Sequence, residues 1–277
     1  MENTNSTASP RMPSLFIPHG GGPCFFMDWT LMGGKADTWN KTKSWLESIP
    51  SFLPRKPKAI LIITAHWEEK VFTVSAAPKP QMIFDYSGFP PHTYELSFPA
   101  PGHPELAHKV TDLLSKAGIA SKIDEERGFD HGVFIPLLVA FPDADIPVVS
   151  MSVCSNLDPQ QHIEAGKALE SLRDEDVLII ASGMSYHNMR AFFTPAATSP
   201  SIKFDKWLTD SLTHTKRSDR ENALSNWQSG DAALNAHPRE EHFIPLMVAL
   251  GAGGEDIGQK VFSDSVMEAT ISGFRFG

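Results

Sequence analysis

Two stretches of this chain are apolar without interruption: residues 59–65 read AILIITA and residues 177–181 read VLIIA. Neither alternates, so neither can face water on one side. Runs of this kind and length are strands buried on both faces, which happens when helices cover both sides of a largely parallel sheet. Neither comes near the roughly 18 apolar residues that a membrane-spanning helix requires. A third run, Leu15-Phe16-Ile17, stops at Pro18-His19-Gly20-Gly21-Gly22-Pro23, where the prolines and glycines cannot continue a strand. The fold class expected is α/β: a three-layer α/β/α domain with a mixed central sheet, since the connections vary in length.

Further strands are expected at residues 71–76 and 146–153, with two short ones within 260–276. Helices are expected at 36–49, 104–116, 133–141, 202–216, 217–227 and 240–250. Another runs from Asp158 to about Arg173, with Asp158 as N-cap and Pro159 at its first position. Residues 78–101 form a long loop rich in proline and aromatics, a length that compact domains reserve for function or leave disordered. Residues 1–12 are polar and lack the apolar segment of a signal peptide. They are expected to be a disordered tail before a single domain over 13–277, and the expected compartment is the cytoplasm.

Charge and cysteine content exclude several functions. With 24 basic against 33 acidic side chains the net charge is −9, which argues against a nucleic-acid partner, because backbone binding needs clustered cations. No membrane partner is expected. Cys24 and Cys154 have no CxxC neighbour, which fits reduced thiols and excludes a zinc ribbon or finger.

The 11 histidines concentrate the chemistry. His19 follows the run at 15–18 directly, His66 follows the run at 59–65 directly, and His187 follows the run at 177–181 through Ser182-Gly183-Met184-Ser185-Tyr186. In open α/β sheets ligands bind beyond the carboxyl ends of the strands. If these three strands are neighbours, their imidazoles meet at one sheet edge, and convergent imidazoles make a divalent transition-metal site. His131, bracketed by glycines in Gly128-Phe129-Asp130-His131-Gly132, and His242, in the first turn of the helix expected from 240, can reach the same cavity. His103, His108, His162 and His214 fall among charged residues on helices or at their starts and read as solvated; His92 and His237 stay open. A rival reading starts from His19-Gly20-Gly21-Gly22, which copies the oxyanion-hole motif of lipases, but the chain contains no G-x-S-x-G elbow. Cys24 beside these glycines reads as a small buried hydrophobe rather than a nucleophile.

Taken together these residues resemble the class III extradiol ring-cleavage dioxygenases, the LigB-like superfamily, and more closely its DOPA 4,5-dioxygenase branch. The resemblance rests on Phe16-Ile17-Pro18-His19-Gly20, Thr64-Ala65-His66-Trp67, Gly88-Phe89-Pro90, Phe98-Pro99-Ala100-Pro101-Gly102, Gly128-Phe129-Asp130-His131-Gly132, residues 141–149, Ala181-Ser182-Gly183 with His187-Asn188, and Glu241-His242-Phe243-Ile244-Pro245-Leu246. It implies that His19, His66 and His242 hold Fe(II), or Zn(II) in some members as isolated. It further implies that His187 is an acid/base that also closes the coordination sphere in resting forms, and that His131 positions substrate or oxygen. The implied substrates are a small-molecule catechol and O2, with ring opening next to the diol to a muconic semialdehyde.

This chain departs from the family pattern in three places. Three glycines and Pro23 follow His19 where the family has a shorter Gly-Ser-Pro turn, Ser185-Tyr186 precede His187 where smaller residues are usual, and Glu241 offers a carboxylate as an alternative ligand to His242. No counter-charges for an amino-acid group are identifiable, so DOPA itself is not implied as the substrate. Phe25, Trp67, Phe129 and Tyr186, each beside a candidate ligand, either line the pocket or pack behind the imidazoles. Two other classes stay open: a metal- or peptide-binding Memo-like protein without oxygenase activity, and a zinc hydrolase.

Overall fold

The run at 59–65 lies in the longest strand of the molecule, buried along almost its whole length because it sits fourth in a sheet of eight. The structure is a computed structural model that describes residues 10–277. In chain order its elements are β1 (Ser14–Pro18), α1 (Asn40–Phe52), β2 (Ala59–Glu69), β3 (Phe72–Ser75), α2 (Pro104–Lys116), β4 (Ser121–Asp124), α3 (His131–Ala140) and β5 (Val148–Cys154). They continue with α4 (Pro159–Leu169), β6 (Val177–Gly183), α5 (Thr198–Leu212), α6 (Arg217–Ser225), α7 (Ala233–Ala236), α8 (Pro245–Gly253), β7 (Gly258–Val266) and β8 (Ala269–Phe276). The sheet order is β4-β3-β5-β2-β6-β1-β8-β7.

Four central strands, β5, β2, β6 and β1, run parallel, and β3 and β8 join them antiparallel on either side. The sheet is therefore mixed, as the varied connections suggested. Along β8, Gly273 lies against Trp45 of α1 and Phe276 against Gly253 of α8. Three residues apart on a strand means opposite faces, so α1 with its neighbour α3 forms one outer layer and α8 with α4 and α2 the other. The three layers expected from the uninterrupted apolar runs are present.

Prolines and caps start the helices where their chemistry allows. Pro104, Pro159 and Pro245 occupy first-turn positions, and the Asp158 carboxylate accepts from the Gln161 amide. That last proline corrects one expectation. The helix expected from 240 starts only at Pro245; before it, residues 241–244 form a turn in which the Phe243 and Ile244 amides both donate to the Glu240 carbonyl. His242 therefore sits on a turn and not in a helix. The helix expected over 202–216 spans Thr198–Leu212, and the one expected to reach Arg173 ends at Leu169 in a 3-10 turn, Glu170–Glu175. β4 had no sequence signal: four half-exposed residues without alternation, paired at the edge with β3.

Of the tail expected over 1–12, residues 1–9 lie outside the described residues. Arg11 pairs with Glu170 and Asp174, and Met12 is buried, its amide donating to the carbonyl of Arg173. The fully buried Arg173 guanidinium in turn donates to carbonyls of Met12, Ala252, Gly253 and Phe276 and pairs with Asp256, which satisfies a charge that would otherwise be costly to bury. No helix among the described residues is long and apolar enough to cross a membrane.

Candidate metal centre

Because β2, β6 and β1 are adjacent, their carboxyl ends bring the post-strand histidines together. His19 leaves β1 with its amide still donating to the Gly183 carbonyl. His66 differs slightly from expectation, since β2 continues through it to Glu69. The pairing of β2 with β5 shifts register between Ile63 and Glu68; within that stretch Thr64 and His66 share the face that meets Gly132 of α3, and His66 lines the cavity. His242 is held by its backbone, its carbonyl accepting from the Met184 amide just beyond β6 at 2.9 Å. An alanine Cβ at Gly183 would lie 2.1 Å from that same carbonyl, so only glycine lets the two segments come this close.

The three imidazoles face one another through Nε2. His66 Nε2 lies 3.1 Å from His19 Nε2 and 3.2 Å from His242 Nε2. Their other nitrogens are engaged. His242 Nδ1 is 2.9 Å from the Glu241 carboxylate, which can only accept, so the proton is on Nδ1. His19 Nδ1 is 3.0 Å from Ser182 Oγ, and that hydroxyl gives its own proton to the Gly132 carbonyl, so it too accepts from the imidazole. The Gly132 carbonyl is free to do this because its partner four residues on in α3 would be Pro136, which has no N–H. His66 Nδ1 points toward Asp85 at 3.6 Å. Three lone pairs thus converge on one point, an arrangement that repels itself unless a cation sits among them. Protons are kept away: burial first, and then the neighbouring imidazoles, hold His19 and His66 well below the ordinary histidine range. Burial brings His242 down to about 4 despite the pull of Glu241. Neutral imidazoles, two of them oriented by an acceptor on the far nitrogen and the third facing a carboxylate at 3.6 Å, are the donor set of a divalent transition metal.

The other two expected histidines flank this set. His131 opens α3 with its ring 3.9 Å from that of His66, centre to centre. Its Nδ1 and its backbone amide both donate to Asp85 Oδ1, at 2.8 and 2.9 Å, which leaves Nε2 as an acceptor. Burial works to raise the Asp85 carboxyl, but the bonds from His131 outweigh it and hold it below the usual range. His187 stacks on His242 with ring centres 3.5 Å apart, and its Nδ1 lies 3.2 Å from Glu241. It groups with Glu241 and His242, not with His19 and His66. Burial opposes ionisation of Glu241 as well, and the bonds to His187 and His242 overcome it, holding the carboxyl well below its usual range. Glu241 is therefore placed behind the imidazoles, facing Nδ1 atoms, and does not replace His242 among the converging donors.

Asp85, Ser182 and the Gly132 carbonyl were not among the candidates read from sequence. Asp85 carried one usable signal, an acid between Phe84 and Tyr86 in the long aromatic loop. Asp130, beside His131, does not orient it; its carboxylate accepts from Thr64 Oγ1 at 2.8 Å and pairs with Arg127. Phe25, Trp67, Phe129 and Tyr186 pack behind the site. Trp67, next to His66 on a strand, points the other way and stacks under Arg127 at 4.8 Å. The cavity of about 370 Å³ at the histidines is instead walled by Trp29, Trp39, Phe89, Phe192 and Phe193. Of the histidines read as solvated, His162 is fully buried, accepting from the Cys154 amide through Nε2 and bonded at Nδ1 to the Asp158 carbonyl. His237 is also buried, bonded to the Ser185 carbonyl. Ser182 is buried with its proton committed, and burial raises the Cys24 thiol far above its ordinary value, so neither supplies a hydrolase nucleophile.

A mixed α/β sheet that gathers neutral histidines beyond the carboxyl ends of its parallel strands has the donor set of a metal-dependent enzyme. The family described as the catalytic LigB subunit of aromatic ring-opening dioxygenase matches residues 13–275, and this chain belongs to it. It is 41% identical to a 4,5-DOPA dioxygenase extradiol of Beta vulgaris over 80% of this chain and 82% of that one. It is 36% identical to the dioxygenase tasH of Hapsidospora irregularis over 98% and 88%. It is 35% identical to a 4,5-DOPA dioxygenase extradiol of Escherichia coli K12 over 88% and 86%. A crystal structure of an uncharacterized Escherichia coli K12 protein superposes with a TM-score of 0.77 at 28% identity, covering 96% of this chain and all of that one. The chain is thus an aromatic ring-opening dioxygenase by family, acting on an aromatic substrate with O2.

Proposed function

We propose that residues 13–277 form one catalytic domain that opens a catechol next to its diol, giving a muconic semialdehyde, with His19, His66 and His242 as the metal ligands. The observation that carries this is the convergence of three Nε2 atoms, with Nδ1 of His19 and Nδ1 of His242 each bonded to an acceptor. Fe(II) is the working ion, with Zn(II) as a form met on isolation. Held by these three imidazoles, iron would lower the pKa of a catechol hydroxyl and would supply the electron transfer that O2 needs. His187 is the acid/base: with Nδ1 held by Glu241, its Nε2 is the atom that takes the hydroxyl proton. It is also the candidate for closing the coordination sphere in a resting form. His131, held at Nδ1 by Asp85, presents Nε2 to the cavity as an acceptor that orients substrate. The relatives named for 4,5-DOPA support a catechol with a side chain as substrate. A binding protein without turnover would not need His131 and His187 held by dedicated carboxylates, and the family and its named relatives support ring opening over zinc-dependent hydrolysis.

The test is anaerobic reconstitution with Fe(II), then air-saturated buffer and a panel of catechols, with O2 uptake and visible absorbance recorded together. Stoichiometric O2 loss with a yellow product is expected. Metal bound without O2 uptake on any catechol would sink the assignment.

A further inference from the structure

The chamber in front of the histidines has an unusual composition for a family whose relatives are named for an amino-acid catechol. Among the described residues, no Lys, Arg, Asp or Glu lines it. The nearest carboxylates, Asp85 and Glu241, are anionic and already bonded to imidazoles. Arg127 and Arg239 are paired with Asp130 and Glu68. A substrate carboxylate entering this chamber would find no cation, and its ammonium group no free anion. Lys35 and Lys41 occupy a separate polar depression that shares only Phe193 and Met267 with the chamber.

The mouth is apolar as well, and it is exposed. Met189 is 67% exposed, Phe193 49% and Met32 40%, and all three line the chamber. Exposed apolar side chains gathered at the rim of a cavity mark a ligand groove. Two rim residues are also held in a backbone region that bulky side chains avoid: φ is +65° at Phe193 and +50° at Met267, and the Phe193 amide donates to the Met267 carbonyl at 3.0 Å. At Met267 this is the two-residue turn of the β7–β8 hairpin, whose other central residue, Glu268, is also at positive φ (+69°); Phe193 is held outside any hairpin, by the loop after His187. Here the tight turn between β7 and β8 and the loop after His187 are strapped together so that both side chains face the opening.

We infer that this rim, Met32, Met189, Phe193 and Met267, selects catechols bearing a neutral, hydrophobic substituent over catechols bearing a charged side chain. The inference rests on the ring-opening reading and narrows it to a substrate class. Methionines suit such a rim, since their flexible thioethers adapt to substituents of different shape.

The experiment compares 4-butylcatechol with L-DOPA and with 3-(3,4-dihydroxyphenyl)propanoate. Two readouts are taken: kcat/KM by O2 uptake, and anaerobic binding to the Fe(II)-loaded protein by quenching of Trp29 and Trp39, with W29F/W39F as the control. The alkyl compound is expected to lead by at least ~10-fold in both, the scale on which apolar pockets discriminate. Met189→Arg, at an exposed position where the fold tolerates it, is expected to bring the propanoate within about threefold of the alkyl compound, with an unchanged melting temperature. L-DOPA equal to or above 4-butylcatechol in both readouts, with O2 consumed, overturns the selectivity and leaves ring opening standing. A binding preference without O2 uptake on any catechol supports the apolar rim and removes the ring-opening reading instead.

Discussion

Gly183→Ala is a test of how tightly the backbone sets the metal site. The new Cβ would begin 2.1 Å from the His242 carbonyl oxygen and 3.0 Å from the Phe16 ring, where ordinary contact starts at 3.4 Å. The carbonyl must therefore retreat by about 1.3 Å, the difference between 3.4 and 2.1. That retreat breaks its bond from the Met184 amide, costing ~1 kcal/mol, and overpacking adds ~1–3 kcal/mol. A total of ~2–4 kcal/mol lowers the melting temperature by roughly 3–7 °C in a chain of this size. The His242 imidazole moves with its backbone, away from a position 3.2 Å from His66 Nε2. A displacement near 1 Å at a reacting centre costs on the order of 100-fold in rate. The assay is metal stoichiometry after reconstitution, O2 uptake, and thermal melting. Gly166→Ala is the control, because its Cβ would meet the Val248 carbonyl at 2.2 Å in the α4–α8 contact, away from the histidines. It should lose comparable stability yet keep one metal per chain below its melting range. If Gly183→Ala binds a full equivalent and turns over within twofold of the parent, backbone placement of His242 is not what sets the site.

Ser182→Ala removes the acceptor that fixes the His19 proton on Nδ1; metal affinity should fall ~10–100-fold in competition with a chromophoric chelator, and an unchanged Kd would show that another group sets the tautomer. Asp85→Ala releases the ring of His131 and should lower kcat/KM by ~10–100-fold while one metal per chain is retained, checked by O2 uptake beside metal analysis. His162 gives a pH effect: burial lowers its pKa from 6.5 to about 4, so the unfolded chain takes up a proton that the folded chain refuses. Its contribution is present above pH 6.5 and is lost as pH falls from there to about 4, worth ~3 kcal/mol across the window. Urea midpoints of His162→Gln should decline less than those of the parent between these limits, and parallel curves would refute the assignment.

The strands and the histidine set were legible because both have simple causes. A strand buried on two faces must be apolar at every position, so 59–65 and 177–181 announced themselves, and strand ends that carry histidines are where ligands bind in such sheets. What was not legible depends on contacts between distant segments. Asp85 matters because the loop carrying it folds onto the start of α3, and its one local mark, an acid between two aromatics, does not say which histidine it will meet. His162 was read as solvated because Gln161 and Glu164 surround it, yet it lies on the inward side of α4, against β5. The aromatics beside the ligands were natural candidates for the pocket wall, but Trp67 is His66's neighbour on a strand and points away, and Phe25, Phe129 and Tyr186 are buried outside the cavity lining. The wall comes from Trp29, Trp39 and Phe193, none of them adjacent to a ligand in sequence.

Pro136 has a consequence that reaches beyond its helix. By withholding an amide proton it leaves the Gly132 carbonyl to Ser182, and through Ser182 it decides which nitrogen of His19 is basic. Metal affinity is thereby linked to the seating of α3 on the sheet, and the linkage must act in both directions. Loading the site should slow hydrogen exchange of the α3 amides, and loosening α3 at any point along its length should leak metal. A helix that touches the ligands only at its first turn becomes in this way a gauge of occupancy.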